Sequence, residues 1–181
     1  IAGFKNCRSV CHVQGGLPFE QITLFAKRNK VNLIVMGVHG AGDSDLKFVG
    51  STAQRVMRTA ACPVLGVKKS YNLGRLKKVL FASDFDEDVS PAINFVHELA
   101  YDLGAKIDFA YINTPNNFVD DFSMEIRMKQ FVPAKKKVKF ESVIQNSLEK
   151  ENGILQCAKK RNAGVIAIVT HLRKQKADYL L

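Results

Sequence analysis

Apolar residues along this chain fall into two alternating kinds of segment. Short β-branched runs occur at Asn32–Met36, Pro63–Val67, Lys78–Ala82, Lys106–Ile112, Lys137–Ile144 and Gly164–Thr170. Their apolar character is nearly continuous, which predicts strands buried on both faces. Between them, apolar residues recur at helical spacing. Ala92, Phe95, Val96, Leu99, Ala100 and Leu103 keep an i, i+3, i+4, i+7 stripe for three turns. Ser90 is the predicted N-cap of that helix, Pro91 its first residue and Gly104 its C′ stop. A second helix, after Pro18, carries Phe19, Ile22, Phe25 and Ala26 on one face, and a third carries Ala53, Val56, Met57 and Ala60. Strands separated by helices of this length predict βαβ units: an α/β fold of open parallel sheets flanked by helices.

An internal repeat organises these elements. Ile22–Gly40 (ITLFAKRNKVNLIVMGVHG) lies over Ile154–Leu172 (ILQCAKKRNAGVIAIVTHL) without a gap, at a shift of 132 residues. Ile22 meets Ile154, Ala26 meets Ala158, Lys27 meets Lys159, Ile34 meets Ile166 and His39 meets His171. The reading is a tandem repeat of one domain type. The polar stretch Lys69–Leu76 (KSYNLGRL) is the predicted linker between a first domain over 1–68 and a second over 77–181. By the same offset the first copy would open roughly 55 residues before Ile1. The second stops before its last helix and strand. The expected organisation is the back half of one domain followed by the front two-thirds of another.

Composition narrows the class. The chain has 181 residues with 46% hydrophobic and 24% charged, a globular rather than disordered balance. No apolar run approaches the ~18–20 residues that span a bilayer, and no signal peptide is visible at the start. Four Cys are too few for a disulfide scaffold, so a reducing, cytoplasmic setting is expected. The net charge is +10, and residues 1–70 hold ten Lys and Arg against three Asp and Glu. A basic chain invites a nucleic-acid reading. Against it, Trp is absent, aromatics are few, and the run Lys135, Lys136, Lys137 has no interleaved stacking residue. A solvated basic surface is the reading preferred to nucleic-acid binding.

The chemistry lies in residues 37–51, GVHGAGDSDLKFVGS, where Gly37, Gly40, Gly50 and Ser51 form the pattern G-x2-G-x9-G-[ST]. It leaves the carboxyl end of a predicted strand and ends at a predicted helix start, where ligands bind in open parallel sheets. Glycines there let backbone approach ribose and phosphates with no Cβ in the way. Ser51 and Thr52 offer hydroxyls, and the N–H groups of the following helix offer an anion site. The pattern is neither a Walker A loop nor the Rossmann G-x-G-x-x-G. The competing reading is a glycine-rich turn that only lets the chain leave the strand.

With these residues on view, VNLIVMGVHG…VGSTAQRVMRTAACPVLGVK resembles the carboxyl half of a universal stress protein domain. KKVLFASDF…AINFVHELAYDLGAKIDFAYI resembles the amino half of a second. The resemblance covers nearly the whole chain and implies a flavodoxin-like or adenine nucleotide α-hydrolase-like sheet of five parallel strands per domain. It also implies pairing of domains across their last strands, as a homodimer or within one chain. In that family the glycine pattern marks members that bind ATP, with Mg as a candidate companion. The resemblance places Gly37, Val38 and Gly40 against ribose and phosphate, and Gly50, Ser51 and Thr52 on the phosphates. It matches Asp84, at the end of the first strand of the second domain, to a ligand-facing acid near the adenosine; the first domain's counterpart would precede Ile1. Ile112 matches an adenine-pocket position loosely. The second domain departs from the pattern, with Val169 for Gly37 and Leu172 for Gly40, and is expected not to bind nucleotide in the usual way.

Other residues carry weaker signals. His39 sits in the motif, but His171 takes the same place in the copy without glycines, which favours a scaffold role over catalysis. Cys7 and Cys11, with His12, are too far apart on a strand for one metal. Cys62 and Cys157 are expected in the core. Asp86, Glu87 and Asp88 precede a helix, where acids suit its dipole better than they suggest a metal site. Lys47, between the glycines, is read as solvated before it is read as a phosphate contact. No nucleophile, base and orienter come together, so the expected role is a cytoplasmic, ATP-binding stress-response regulator with an unidentified protein partner, not an enzyme. The runner-up is a nucleotide-free dimerisation scaffold.

Overall fold

The computed structural model describes residues 8–38, 49–68, 76–133 and 138–169. The chain divides into two compact units, Ile1–Ser70 and Tyr71–Leu181.

In unit 1, α1 (Pro18–Arg28) leads to β1 (Ile34–Gly37), and α2 (Ser51–Thr59) leads to β2 (Val64–Val67). The two strands pair in parallel, Ile34 opposite Val64 and Gly37 opposite Val67. Ala26 of α1, Ile34 of β1 and Val56 of α2 form the core, with Phe19, Ile22, Met36, Cys62 and Val64 packed around it. Both predicted helical stripes therefore face one side of the sheet. β1 is not buried on both faces as its sequence predicts, because Val35 is 60% exposed.

Unit 2 contains β3 (Lys78–Ala82), α3 (Ser90–Asp102), β4 (Lys106–Asn113), α4 (Asp121–Gln130), β5 (Phe140–Asn146), α5 (Lys150–Arg161) and β6 (Val165–Ile168). Its four strands are parallel in the order β5-β4-β3-β6. The chain winds outward from β3 to β5 and then returns to the other side of β3. That reversal puts the helices on both faces. On one face Val79, Phe81, Ile107, Phe109 and Tyr111 pack with Ile93 and Val96 of α3 and Met124 and Met128 of α4. On the other, Leu80, Ala82, Ala110 and Ile112 pack with Cys157 and Ala158 of α5. β3 and β4 are buried on both faces as predicted, whereas β6 alternates like a half-exposed strand.

Helix ends follow local chemistry. Gly104 takes φ +61 and its N–H donates to the Tyr101 carbonyl, the left-handed stop predicted after α3. The start of α3 differs by one residue: Ser90 is helical, and its N–H donates to Asp88 Oδ1 at 3.0 Å. The acid two residues earlier thus caps the helix in place of the serine. The aligned stretches of the repeat both fold as helix then strand, α1–β1 and α5–β6.

Candidate functional site

The base of the glycine loop is closed by backbone. The Val38 N–H donates to the Val67 carbonyl at 3.2 Å, extending the β1–β2 ladder by one residue. The Val38 carbonyl then accepts from the Gly50 N–H at 2.7 Å. Val38 and Gly50 thus meet at one point on the carboxyl edge of the sheet. Val38 is buried, with Gly66 and Met57 against it: a Cβ on Gly66 would lie 2.5 Å from Val38 Cγ1 and 2.6 Å from Met57 Cε. The bare backbone of Gly66 is what lets the Val38 side chain seat against it. Gly40, His39 and Lys47 lie outside the described residues, so the structure places Gly37, Val38, Gly50, Ser51 and Thr52 together and makes no statement of Gly40.

Gly50 is the N-cap residue of α2, and its carbonyl accepts the first helical bond, from Gln54 at 3.0 Å. The amides of Ser51, Thr52 and Ala53 have no i−4 partner, as at any helix start. Among the described residues no side chain caps them, and the first turn carries no acid. Ser51 is exposed and Thr52 half-buried. This end of α2 thus presents amides, two hydroxyls and the positive end of the helix dipole, an arrangement suited to an anion.

Asp84 belongs to unit 2, two residues past the end of β3. Ser83 donates its N–H to the Ala110 carbonyl at 3.2 Å, and Phe85 donates its N–H to Ser83 Oγ at 3.0 Å. Phe85 adopts φ +55, an uncommon conformation for an aromatic residue. Its ring is buried against Phe81, Phe109 and Phe131 at centroid distances of 5.6–6.2 Å, contacts that offset a backbone cost of order 1 kcal/mol. Burying Phe85 leaves its neighbour Asp84 at the sheet's carboxyl edge. Lys150 Nζ reaches both Asp84 oxygens, at 2.7 and 2.9 Å. Asp86 pairs with Arg127 of α4, and the hydrogen bonds from Ser90 hold the Asp88 carboxyl below its usual range.

Ile112 is buried beneath α5; Val169 packs on the larger core cluster. Leu172 and His171 lie outside the described residues, as does Cys7. Cys157 is fully buried, and burial pushes its thiol up, the opposite of a reactive cysteine. Cys62 lies half-buried at the edge of the unit 1 core, and Cys11 is exposed. Among the described residues no three His, Cys, Asp or Glu side chains gather as a metal site, and no helix is long and apolar enough to cross a membrane.

Two arrangements were not foreseen from the sequence. One is Lys150 on Asp84. The other is at the opposite end of the sheet, where fully buried Asp108 takes Arg161 Nε at 2.6 Å and Lys78 Nζ at 3.3 Å, and Arg161 also pairs with Glu141. Hydrogen bonding to Asp108 raises the already high pKa of Arg161 further. A basic residue at each end of α5 is the only sequence signal for either.

Known proteins resemble this chain in sequence and in fold. Residues 3–68 match the Universal stress protein family. A universal stress protein of Methanocaldococcus jannaschii is 46% identical over 54 residues, 30% of this chain and 32% of that protein. One of Thermus aquaticus is 45% identical over 53 residues, 29% of this chain and 39% of that protein. The matched stretch thus spans well under half of each relative's length. Among solved structures, a universal stress protein from Archaeoglobus fulgidus is similar in fold with a TM-score of 0.66, at 19% identity, over 83% of this chain and 55% of that one. Over residues 3–68, unit 1 is thus similar to the universal stress protein family, and the fold of the chain is similar to that of a solved member.

Proposed function

We propose that unit 1 binds an adenine nucleotide, ATP, and that the bound state regulates contacts with other protein surfaces in a cytoplasmic stress response. The observation that carries this reading is the closure of the loop. Val38 and Gly50, which flank the glycine-bearing sequence, meet at 2.7 Å directly before a helix start that has no side-chain cap among the described residues and no acidic residue in its first turn. Gly37, Gly40 and Gly50 would let the backbone approach ribose and phosphates, while Ser51 and Thr52 would donate hydroxyls to the phosphate oxygens. Magnesium, where it accompanies the triphosphate, would be carried chiefly by the phosphates.

The reading is binding rather than catalysis. Ser51 and Thr52 are read as donors to phosphate oxygens, not as nucleophiles. Unit 2 fits the role of a nucleotide-free pairing surface: it keeps the fold, replaces the first two glycines with Val169 and Leu172, and engages its strand-end acid internally. Pairing between copies, or between the two repeats of a tandem, would then be the output that ATP changes. The test is nucleotide binding by the native protein and by Gly40→Leu. Saturable ATP binding that the substitution abolishes supports the reading. No nucleotide, and no thermal shift with ATP and Mg, would leave the scaffold role.

A further inference from the structure

We infer that Lys150 keeps the ligand edge of unit 2 closed by standing as the permanent counter-ion of Asp84. The position of Asp84 follows from topology. In a sheet ordered β5-β4-β3-β6, the strand order reverses at β3 and β6, and the crevice beyond their carboxyl ends is where such sheets take ligands. Asp84 leaves β3 at that crevice. Its carboxylate is 44% exposed and the Lys150 side chain 41%, so the pair sits at an edge a ligand can reach. Both carboxylate oxygens are engaged by one ammonium, at 2.7 and 2.9 Å. A neutral donor, such as the amino group of a base or a ribose hydroxyl, would have to displace a charge-assisted bond, the stronger kind.

Lys150 is held in this position by its element. The Ser147 N–H donates to the Asn113 carbonyl at 2.9 Å, fixing the turn before α5 to the end of β4. Gly153 lets the first turn of α5 lie against the sheet: a Cβ there would be 2.4 Å from Ile112 Cγ2 and 2.8 Å from Ser147 Cβ. The first residue of α5 is thereby brought beside Asp84. The repeat shows that this is particular to unit 2. At the shift of 132 residues Lys150 falls on Pro18, the first residue of α1, which has no donor to offer an acid. The two copies therefore differ in the glycines and also in the residue that opens this helix, lysine in one and proline in the other. The inference rests on the role that the family resemblance implies for Asp84, a contact to a nucleoside, which Lys150 would suppress in unit 2.

Adenosine, which needs no phosphate loop, is the probe. Amide NMR of the full chain follows Ser83, Asp84 and Phe85 during adenosine titration, for the native protein, Lys150→Met, Lys150→Arg, and Lys150→Met combined with Asp84→Ala. The expected result is saturable shifts at these amides in Lys150→Met alone, at least tenfold tighter than any in the native protein. Lys150→Arg, which keeps the pair, should stay silent, and so should the double variant. A silent but folded Lys150→Met, or a native protein that responds as strongly, overturns the inference. The amides of Ser51, Thr52 and Ala53 in the same samples, titrated with ATP, report on unit 1 separately. Failure there sinks the nucleotide reading of unit 1 and leaves the Lys150 result to stand or fall by its own amides.

Discussion

The carbonyl of Val38 accepts the N–H of Gly50 at 2.7 Å, joining the residue after the first strand to the N-cap of the second helix. One backbone bond thus sets where the glycine loop begins and ends. Gly50 has φ −58, a value proline also adopts, so Gly50→Pro removes the donor with little change in dihedral. The expected cost is about 1–2 kcal/mol of unit 1 stability, the range for orphaning a hydrogen-bonded carbonyl. ATP affinity should fall with it, whereas Gly50→Ala, which keeps the N–H, should retain more of both. Chemical denaturation and calorimetric titration of the two variants check this.

Glycines at two close approaches should tolerate no side chain. Gly66→Ala puts a methyl 2.5 Å from Val38 Cγ1 and 2.6 Å from Met57 Cε; Met57 can swing aside, but buried Val38 cannot. Gly153→Ala meets Ile112 and the Ser147 Cβ, an atom tied to backbone. Helix propensity alone would favour Ala at 153 by about 1 kcal/mol. Net destabilisation of about 1–3 kcal/mol in each variant, from overpacking, is the expected outcome in denaturant melts. Stabilisation of Gly153→Ala would contradict the packing described.

The buried carboxylate of Asp108 makes a sharper case. Arg161→Met leaves it fully buried, with Lys78 as its remaining described cation and Oδ1 without a hydrogen-bond partner. A loss of about 3 kcal/mol is expected. Pairing the change with Asp108→Leu should recover most of it, because the cost is that of a stranded charge rather than of a missing contact. A double-mutant cycle in urea measures the difference.

Alkaline stability should carry the signature of Tyr111. Burial first, then the carboxylates of Asp84 and Asp86, push its phenol above the ordinary value of 10.0. A raised pKa means the folded protein holds this proton more tightly than the unfolded chain. The contribution is complete below about pH 10 and is lost as pH rises towards the folded value, because the unfolded chain ionises first. Tyr111→Phe removes the hydrogen bond to the Asn117 carbonyl, at a cost of about 1 kcal/mol near neutrality. It should also flatten the decline in stability that melts would record above about pH 10.

How far these features could be read from sequence depended on the range of the interaction. β3 runs from Lys78 to Ala82 as predicted, and Gly104 ends α3, because apolar runs and glycine stops are local signals. α4 was not predicted. Its buried Met124 and Met128 share ten residues with exposed Phe122 and Ile126, so apolar residues surround the helix and no single stripe stands out. β1 and β6 read as doubly buried, yet Val35 and Ile168 are about 60% exposed, and periodicity alone does not tell which faces a neighbour covers. The loop pattern was legible because it is contiguous. Lys150 and Arg161 were not, since their partners lie 66 and 53 residues away.

The most direct test of the account is equilibrium titration of the native chain with ATP in the presence of Mg, beside Gly40→Leu. The account predicts saturable binding by the native protein, with amide shifts centred on Ser51, Thr52 and Ala53, and its loss in a variant that melts like the parent. A native protein that is folded, shows those amides unmoved and takes up no ATP would contradict it.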